Sequence, residues 1–298
     1  MRRKSPETSN LFRAIEKMNP FEQLKQNFYD AASSNPSVQK YVAGRLDKDG
    51  KYTGWVGPVA SSSGPSLQLN LSLENDQFLL YCLASAWSAT GPWENAATLI
   101  YTIKNFAYER ASPHAWLDEA EFSESCRITK ATFELNKDIF SPRKSAVIRK
   151  DIFRAFHRIA SQWEQIKRLM AAAEESSNWE NFVRELRCIN GLAPGVTETK
   201  RLLIKIPLIL RELRCQKVFM NIPGDLCCVP DARVIDAIKA FQKSPDFERS
   251  SGLKSYRPSS AETLITSSRA IYKVFGDLYD LPLFAAEDID PSIKMLRD

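Results

Sequence analysis

Histidine is nearly absent from the 298-residue sequence, in which His114 and His157 are the only two. Two histidines are too few for a histidine-rich zinc site, and they argue against a conventional Ser-His-Asp triad. The six cysteines have no metal-ligand spacing, and Cys227 and Cys228 are adjacent, which is typical of free thiols in a reducing compartment. We therefore expect an intracellular, cytoplasmic protein without a bound metal or other cofactor.

Long apolar runs are also missing, and no stretch approaches the length of a membrane span. Residues 1–4 are followed by polar residues rather than by the apolar segment of a signal peptide, and residues 1–9 are typical of a disordered basic tail. The net charge of +5 and the pI near 8.8 permit a nucleic-acid partner but do not require one. With 44% hydrophobic residues, the chain can bury one large core or two modest ones.

Apolar residues recur at helical spacing along most of the chain, so we predict an all-α fold. A small β-hairpin is expected within residues 50–72, across a loop rich in Ser, Gly and Pro. Between residues 110 and 140 the pattern is short and mixed. Other segments are clearly helical, among them residues 10–31 with an interruption at Asn19-Pro20, and residues 74–90, 93–108 and 261–279.

Two helical subdomains with a central cleft between them are expected. The first covers residues 10–140, and the second covers residues 141–242. Residues 243–298 would supply a last helix and a tail that complete the cleft.

The longest predicted helix begins at Ser141, an N-cap residue followed by Pro142 at the first helical position, and extends to about Ala173. On its outer face, basic residues far outnumber acidic ones. Charged outer faces are usually solvated, but this bias in sign favours contact with a polyanion. The candidate contacts are Arg149, Arg154 and Arg158.

The rest of the sequence is organised around the stretch from Asn178 to Phe241. Apolar residues predict a helix over residues 179–188. A turn from Gly191 to Gly195 follows, because two glycines and a proline are hard to keep helical.

A second helix should begin directly after this turn, with Thr197 as its N-cap. Its free backbone N–H groups and the positive end of its dipole form an anion site suited to a phosphodiester. Lys200 lies in its first turn, where the dipole, Arg201 and partial burial would lower the pKa of an amine and favour a nucleophilic lysine. Pro207 should kink this helix, and Asp231 is a natural cap for a third one.

This arrangement resembles the helix-hairpin-helix DNA glycosylases, a superfamily that includes endonuclease III and 8-oxoguanine glycosylase. The matching features are the turn from Gly191 to Gly195, Lys200, and the later segment Pro230-Asp231-Ala232-Arg233-Val234. The long interval between Lys200 and Asp231 is most similar to that of the archaeal 8-oxoguanine glycosylase branch. The turn departs from the usual Pro-Gly-Val-Gly, because Thr197 follows Val196.

The resemblance implies cleavage of the N-glycosidic bond of a damaged or modified base that is flipped out of double-stranded DNA by a monomeric enzyme. Lys200 would attack C1′ and form a Schiff base that permits strand cleavage as an AP lyase. Asp231 would orient the nucleophile and stabilise positive charge on the sugar, or would activate water if no lysine is competent. Some members carry an iron–sulfur cluster near the C-terminus, but no cysteine follows Cys228, so none is expected in this chain.

The resemblance also assigns residues that would hold the DNA and the base. Besides the arginines of the long helix, the DNA-binding residues are Gly191, Gly195, Val196, Thr197 and Arg233. The residues that would line the base pocket are Trp87, Trp93, Lys205, Pro230 and Asp288. Either tryptophan could stack on an expelled base, and Lys205 is the rival of Lys200 for the nucleophilic role.

Ordinary structural roles stay open for all of these residues. A first-turn lysine is usually solvated, an Asp before an apolar helix is usually only a cap, and a Trp at helical spacing is usually core. The alternative function is a non-catalytic helix-hairpin-helix DNA-binding protein. A third hypothesis is a glycosylase directed at modified bases of foreign DNA, as in phage defence, because the base pocket cannot be deduced from one sequence.

Overall fold

The computed structural model describes residues 20–42, 57–58, 66–90, 93–136, 148–188, 199–243 and 252–295. These residues are mostly helical, which confirms the predicted all-α class. The one described pair of strands is short, with β1 Gly57–Pro58 antiparallel to β2 Ser66–Leu67. The hairpin expected within residues 50–72 is therefore reduced to two residues per strand. None of the helices within the described ranges is long and apolar enough to cross a membrane.

In chain order, the described α-helices are α1 Pro20–Ser34, α2 Pro36–Val42, α3 Glu74–Thr90, α4 Trp93–Phe106, α5 Glu119–Leu135, α6 Lys150–Ser161, α7 Trp163–Ser176, α8 Trp179–Cys188, α9 Thr199–Cys215, α10 Ala232–Lys243, α11 Ala261–Phe275, α12 Leu281–Ile289 and α13 Ser292–Met295. Short 3₁₀ turns lie at Tyr108–Ala111, Pro113–Trp116, Gly224–Leu226 and Gly276–Leu278.

The single long helix predicted from Ser141 to Ala173 is wrong in its described part, where α6 and α7 are separate helices. The break is at Gln162, whose backbone leaves the helical region at φ −113 and ψ 10. Trp163 then begins α7 and is fixed against α3, because its Nε1 donates to Glu74 Oε1 at 2.8 Å and its ring packs edge-on against Phe78 and Tyr81. Tertiary packing of one tryptophan therefore outweighs a continuous helical pattern.

A helix that the sequence pattern did not predict is α5. Asp118 caps it by accepting a hydrogen bond from Glu121 N at 2.8 Å. Its buried face includes Ser125 and Thr129 beside Phe122 and Phe133. Because half of that face is polar, the hydrophobic periodicity that identifies a helix is weak there.

One group of helices, which we call the α3 bundle, consists of α3 to α7. Its centre is α3, in which every residue from Phe78 to Ala86 is buried. A helix that is apolar on all sides belongs inside a bundle rather than on its surface. The helices α4 and α6 pack on α3, and α5 packs against α4 and α6.

The second group, which we call the α10 bundle, joins the N-terminal helices α1 and α2 to α10–α13. The ring of Phe21 on α1 lies 5.2 Å from that of Phe241 and 6.2 Å from that of Phe275. Asn35 Nδ2 donates to the carbonyl of Asp288 at 2.9 Å. The contacts of α1 are therefore with the C-terminal helices, whereas the sequence grouped it within residues 10–140.

Helix α9 lies where the two bundles meet. It packs against α3 on one side and against α8, α11 and the turn Gly224–Leu226 on others. It continues through Pro207, so the proline does not end it. All residues from Lys205 to Leu213 are buried, including three charged ones.

Candidate active site

The site centres on Lys205, a lysine on α9 with 6% of its surface exposed. A buried ammonium needs a partner, because its desolvation is costly. Lys205 Nζ donates to Asp231 Oδ2 at 3.1 Å. It also lies 3.9 Å from the centroid of the Trp87 ring, within the range of a cation–π contact.

Asp231 is held by the helix that it begins. Its Oδ1 accepts from the backbone N–H of Val234 at 3.1 Å, which confirms the predicted cap of α10. Its Oδ2 is the atom that faces Lys205. Oδ1 therefore fixes the side chain of Asp231 to the helix, and Oδ2 accepts the hydrogen bond from the amine of Lys205.

The three residues lie in separate parts of the fold that meet at this point. Trp87 belongs to α3, Lys205 to α9, and Asp231 precedes α10. The group combines an amine, a carboxylate that can take its proton, and an aromatic face. Such a set can carry out nucleophilic attack assisted by a base.

A second buried ion pair lies behind Asp231. Arg211 Nη1 donates to Asp280 Oδ1 at 2.9 Å, and the same oxygen accepts from Val229 N at 2.7 Å. Burial raises the pKa of Asp280, while Arg211 and the Val229 amide act in the opposite direction. No sequence pattern predicts this pair. The one local sign is that Arg211 directly follows the apolar residues Leu208, Ile209 and Leu210.

Arg233 and Asp288 are brought together, and they pair with each other. The Arg233 guanidinium donates to the Asp288 carboxylate. Its Cζ also lies 4.8 Å from the centroid of the Phe284 ring, a neighbour that the sequence analysis missed. Arg233, predicted to bind DNA, and Asp288, predicted to line the base pocket, are therefore paired with each other.

Two further residues predicted to line the base pocket, Trp93 and Pro230, are buried in the structure. Trp93 begins α4 and is 5% exposed, within the hydrophobic core. Pro230 is buried next to Asp231. Lys200 is the second residue of α9, but its side chain is outside the described part of the structure.

The predicted DNA contacts are only partly described. The turn residues Gly191, Gly195, Val196 and Thr197 fall outside the described residues. On α6, Arg154 is exposed and Arg158 is half-buried. Arg149 precedes that helix and donates from Nε to Asp151 Oδ1 at 3.0 Å.

The cysteine side chains that the structure describes are poor nucleophiles. Burial raises the pKa of Cys126 to about 11 and that of Cys215 to about 12, so both are protonated at neutral pH. Cys82 and Cys228 are fully buried, and their pKa is raised further. Within the described residues, no group of His, Cys, Asp or Glu is placed to hold a metal ion.

Comparison with models of protein families, with curated protein sequences and with solved structures finds no match to this chain. The geometry around Lys205 is therefore the basis for any functional assignment.

Proposed function

We propose that this protein is a helix-hairpin-helix DNA glycosylase that removes a flipped, damaged or modified base from double-stranded DNA and uses Lys205 as its nucleophile. The observation that supports it most is the buried Lys205–Asp231 pair against Trp87, at the junction of two helical bundles. A buried amine beside a carboxylate is costly to maintain and is common at functional sites.

The chemistry follows from these two groups. Asp231 accepts a proton from the Lys205 ammonium, and the neutral amine attacks C1′ of the deoxyribose. The N-glycosidic bond breaks, and the base leaves with the bonding electrons and takes up the proton that Asp231 had accepted. This returns Asp231 to the carboxylate form, which stabilises the positive charge on the sugar. Ring opening then yields a Schiff base, which permits elimination of the 3′ phosphate, and hydrolysis restores the amine.

Lys205 is favoured over Lys200, the lysine chosen from the sequence. Asp231 is within hydrogen-bond distance of Lys205. Two positions five residues apart lie about 140° from each other around an ideal α-helix, so one carboxylate is not expected to serve both lysines.

Trp87 has a different role in this proposal from the one that the sequence suggested. One face of its ring is covered by the Lys205 ammonium at 3.9 Å. That contact fixes the position of the amine, so Trp87 would orient the nucleophile. The exposed Arg154 and the start of α9 would contribute contacts to phosphate without selecting sequence.

The test is borohydride trapping on duplexes that contain an abasic site or an oxidised, alkylated or glucosylated base. The wild type should form a covalent adduct, Lys205→Gln should form none, and Lys200→Gln should retain it. Lys104→Gln is a matched control, because Lys104 also pairs with a buried aspartate, Asp76, in the α3 bundle.

Each other result leads to a different conclusion. Adducts that persist in Lys205→Gln but vanish in Lys200→Gln would transfer the role to Lys200. Base release without trapping in the wild type would mean that Asp231 activates water. Duplex binding with neither trapping nor release would favour the non-catalytic DNA-binding protein.

A further inference from the structure

We infer that Asp280 and Arg211 act as a buried clamp that positions Asp231 for catalysis, an inference that rests on the proposed function. Neither residue is a member of the Lys205–Asp231 pair. They act through the backbone segment that leads into Asp231, and they are therefore positioning residues.

The clamp begins with a single carboxylate oxygen. Asp280 Oδ1 accepts from Arg211 Nη1 at 2.9 Å and from Val229 N at 2.7 Å. Asp280 is 4% exposed and Arg211 3%. Hydrogen bonds to a charged acceptor in a low-dielectric interior are short and strong, so this contact fixes the Val229 amide firmly.

The position of Val229 is transmitted to Asp231 over a short distance. Asp231 N donates to the Val229 carbonyl at 2.9 Å, which closes a tight turn around the buried Pro230. Proline fixes one of the two soft torsions in that turn. A displacement of Val229 must therefore move the Asp231 backbone and its carboxylate.

The opposite end of the clamp is anchored on the same helix as the nucleophile. Arg211 lies six residues after Lys205 on α9. The helix therefore holds Asp231 twice, through the direct pair with Lys205 and through Arg211, Asp280 and Val229. This closed arrangement fixes the separation of amine and carboxylate, on which proton transfer depends.

Asp76 and Lys104 form another ion pair with a buried aspartate, at a different place in the fold. Asp76 is buried, accepts from the backbone N of Asn70 at 2.6 Å, and pairs with Lys104. It lies in the α3 bundle, at the opposite end of α3 from Trp87. Changes to this pair report what the loss of a buried carboxylate does to stability alone.

The experiment compares two double variants that both remove the buried charges. Arg211→Met/Asp280→Asn keeps an oxygen that can accept from Val229, whereas Arg211→Met/Asp280→Leu has none. Glu212, which lies 3.9 Å from Arg211, loses its neighbour in both, so that effect cancels. Lys104→Met/Asp76→Leu is the remote control. Adduct formation on abasic duplex is measured in a single turnover, together with duplex affinity and thermal unfolding.

The Leu variant should form adduct roughly 10²-fold more slowly than the wild type, since a misplaced catalytic group costs about that much. The Asn variant should recover most of the rate, and duplex affinity should stay unchanged in both. The remote control should lose thermal stability while its rate is preserved. Equal rates in the Leu and Asn variants would overturn the clamp.

A measurement independent of activity separates this inference from the proposed function. Hydrogen exchange at the Val229 and Asp231 amides should be faster in the Leu variant than in the Asn variant. If the wild type neither traps nor releases a base, the proposed function fails, and the exchange comparison alone decides the clamp. Equal exchange in the two folded variants would then overturn it.

Discussion

Lys205 is a costly residue to bury, and in the proposed function it is also the nucleophile. It occupies a buried position on α9, between neighbours that are apolar. An uncompensated charge there would be strongly destabilising, so the fold needs Asp231 and the Trp87 ring, and the proposed reaction would use the same contacts. Removing either member of the pair should therefore affect stability and activity together.

Asp231→Asn should separate the helix cap from the pairing with Lys205. Asparagine can still cap α10 through Val234 N but cannot accept a proton from Lys205. We expect base release to fall by roughly 10²–10⁴-fold, with duplex affinity within about threefold because phosphate contacts are untouched. Single-turnover kinetics and binding titrations measure both.

The control is Asp236→Asn, which makes the same chemical change on the same helix. Asp236 Oδ1 lies 3.8 Å from Lys239 Nζ, three residues further along α10. Its turnover should match that of the wild type. Near-normal turnover in Asp231→Asn would instead remove the aspartate from the mechanism.

The sequence predicted that Asp231 caps a helix, but it ranked Lys200 above Lys205, the lysine that pairs with this aspartate. An aspartate before an apolar helix is recognisable because capping is local. The choice between Lys200 and Lys205 depends on which side of α9 faces α10, and that is decided by tertiary packing. Arg211 and Asp280 are further apart in sequence, and nothing local connects them.

Among the helices, the sequence predicted those whose ends are marked locally. The bounds of α8 match the prediction, and so do those of α3, at Glu74–Thr90. The last helix was predicted to reach Tyr279, but α11 ends at Phe275, because Gly276 follows with a φ of +57. Where the ends depend on long-range contacts, as at Gln162, the prediction was wrong.

Helices α8 and α11 are joined by a carboxylate whose titration can be followed. Glu180 on α8 accepts from Arg269 of α11 at 2.5 Å and from Arg184 at 2.9 Å. The hydrogen bond from Arg269 holds the pKa of Glu180 below its ordinary value of 4.5. A lowered folded-state pKa means that this stabilisation is present above the ordinary value and is lost as the pH falls through the folded one.

Glu180→Gln should therefore lower the free energy of unfolding at neutral pH by about 0.5–1 kcal/mol, because the pair is partly exposed. The difference from the wild type should shrink as the pH falls below 4.5. Urea unfolding at several pH values measures it. The control Glu124→Gln breaks only a pair within α5, with Arg127, and should have a smaller effect. A difference that does not depend on pH would contradict the assignment.

At the scale of the whole molecule, the candidate site depends on the packing of the N-terminal helices against the C-terminal ones. The helices α1 and α2 pack on α12, and α10 packs on α12 as well. Asp231 therefore depends on the α10 bundle, and Trp87 on the α3 bundle. The sequence could not predict this grouping, since Phe21 of α1 packs against Phe241 and Phe275, more than two hundred positions away.

Phe21→Ala tests whether Asp231 depends on the α10 bundle separately from the α3 bundle. Phe21 is fully buried between the rings of Phe241 and Phe275, so its truncation should destabilise the protein by about 3–5 kcal/mol. Opening should begin in the α10 bundle, and hydrogen exchange should rise first in α10–α12 and at Asp231. Phe122→Ala is the matched variant, because Phe122 packs on His157 inside the α3 bundle. It should raise exchange first in α5 and α6 and leave Asp231 protected. An equal rise across both bundles in both variants would mean that the molecule opens as one cooperative unit.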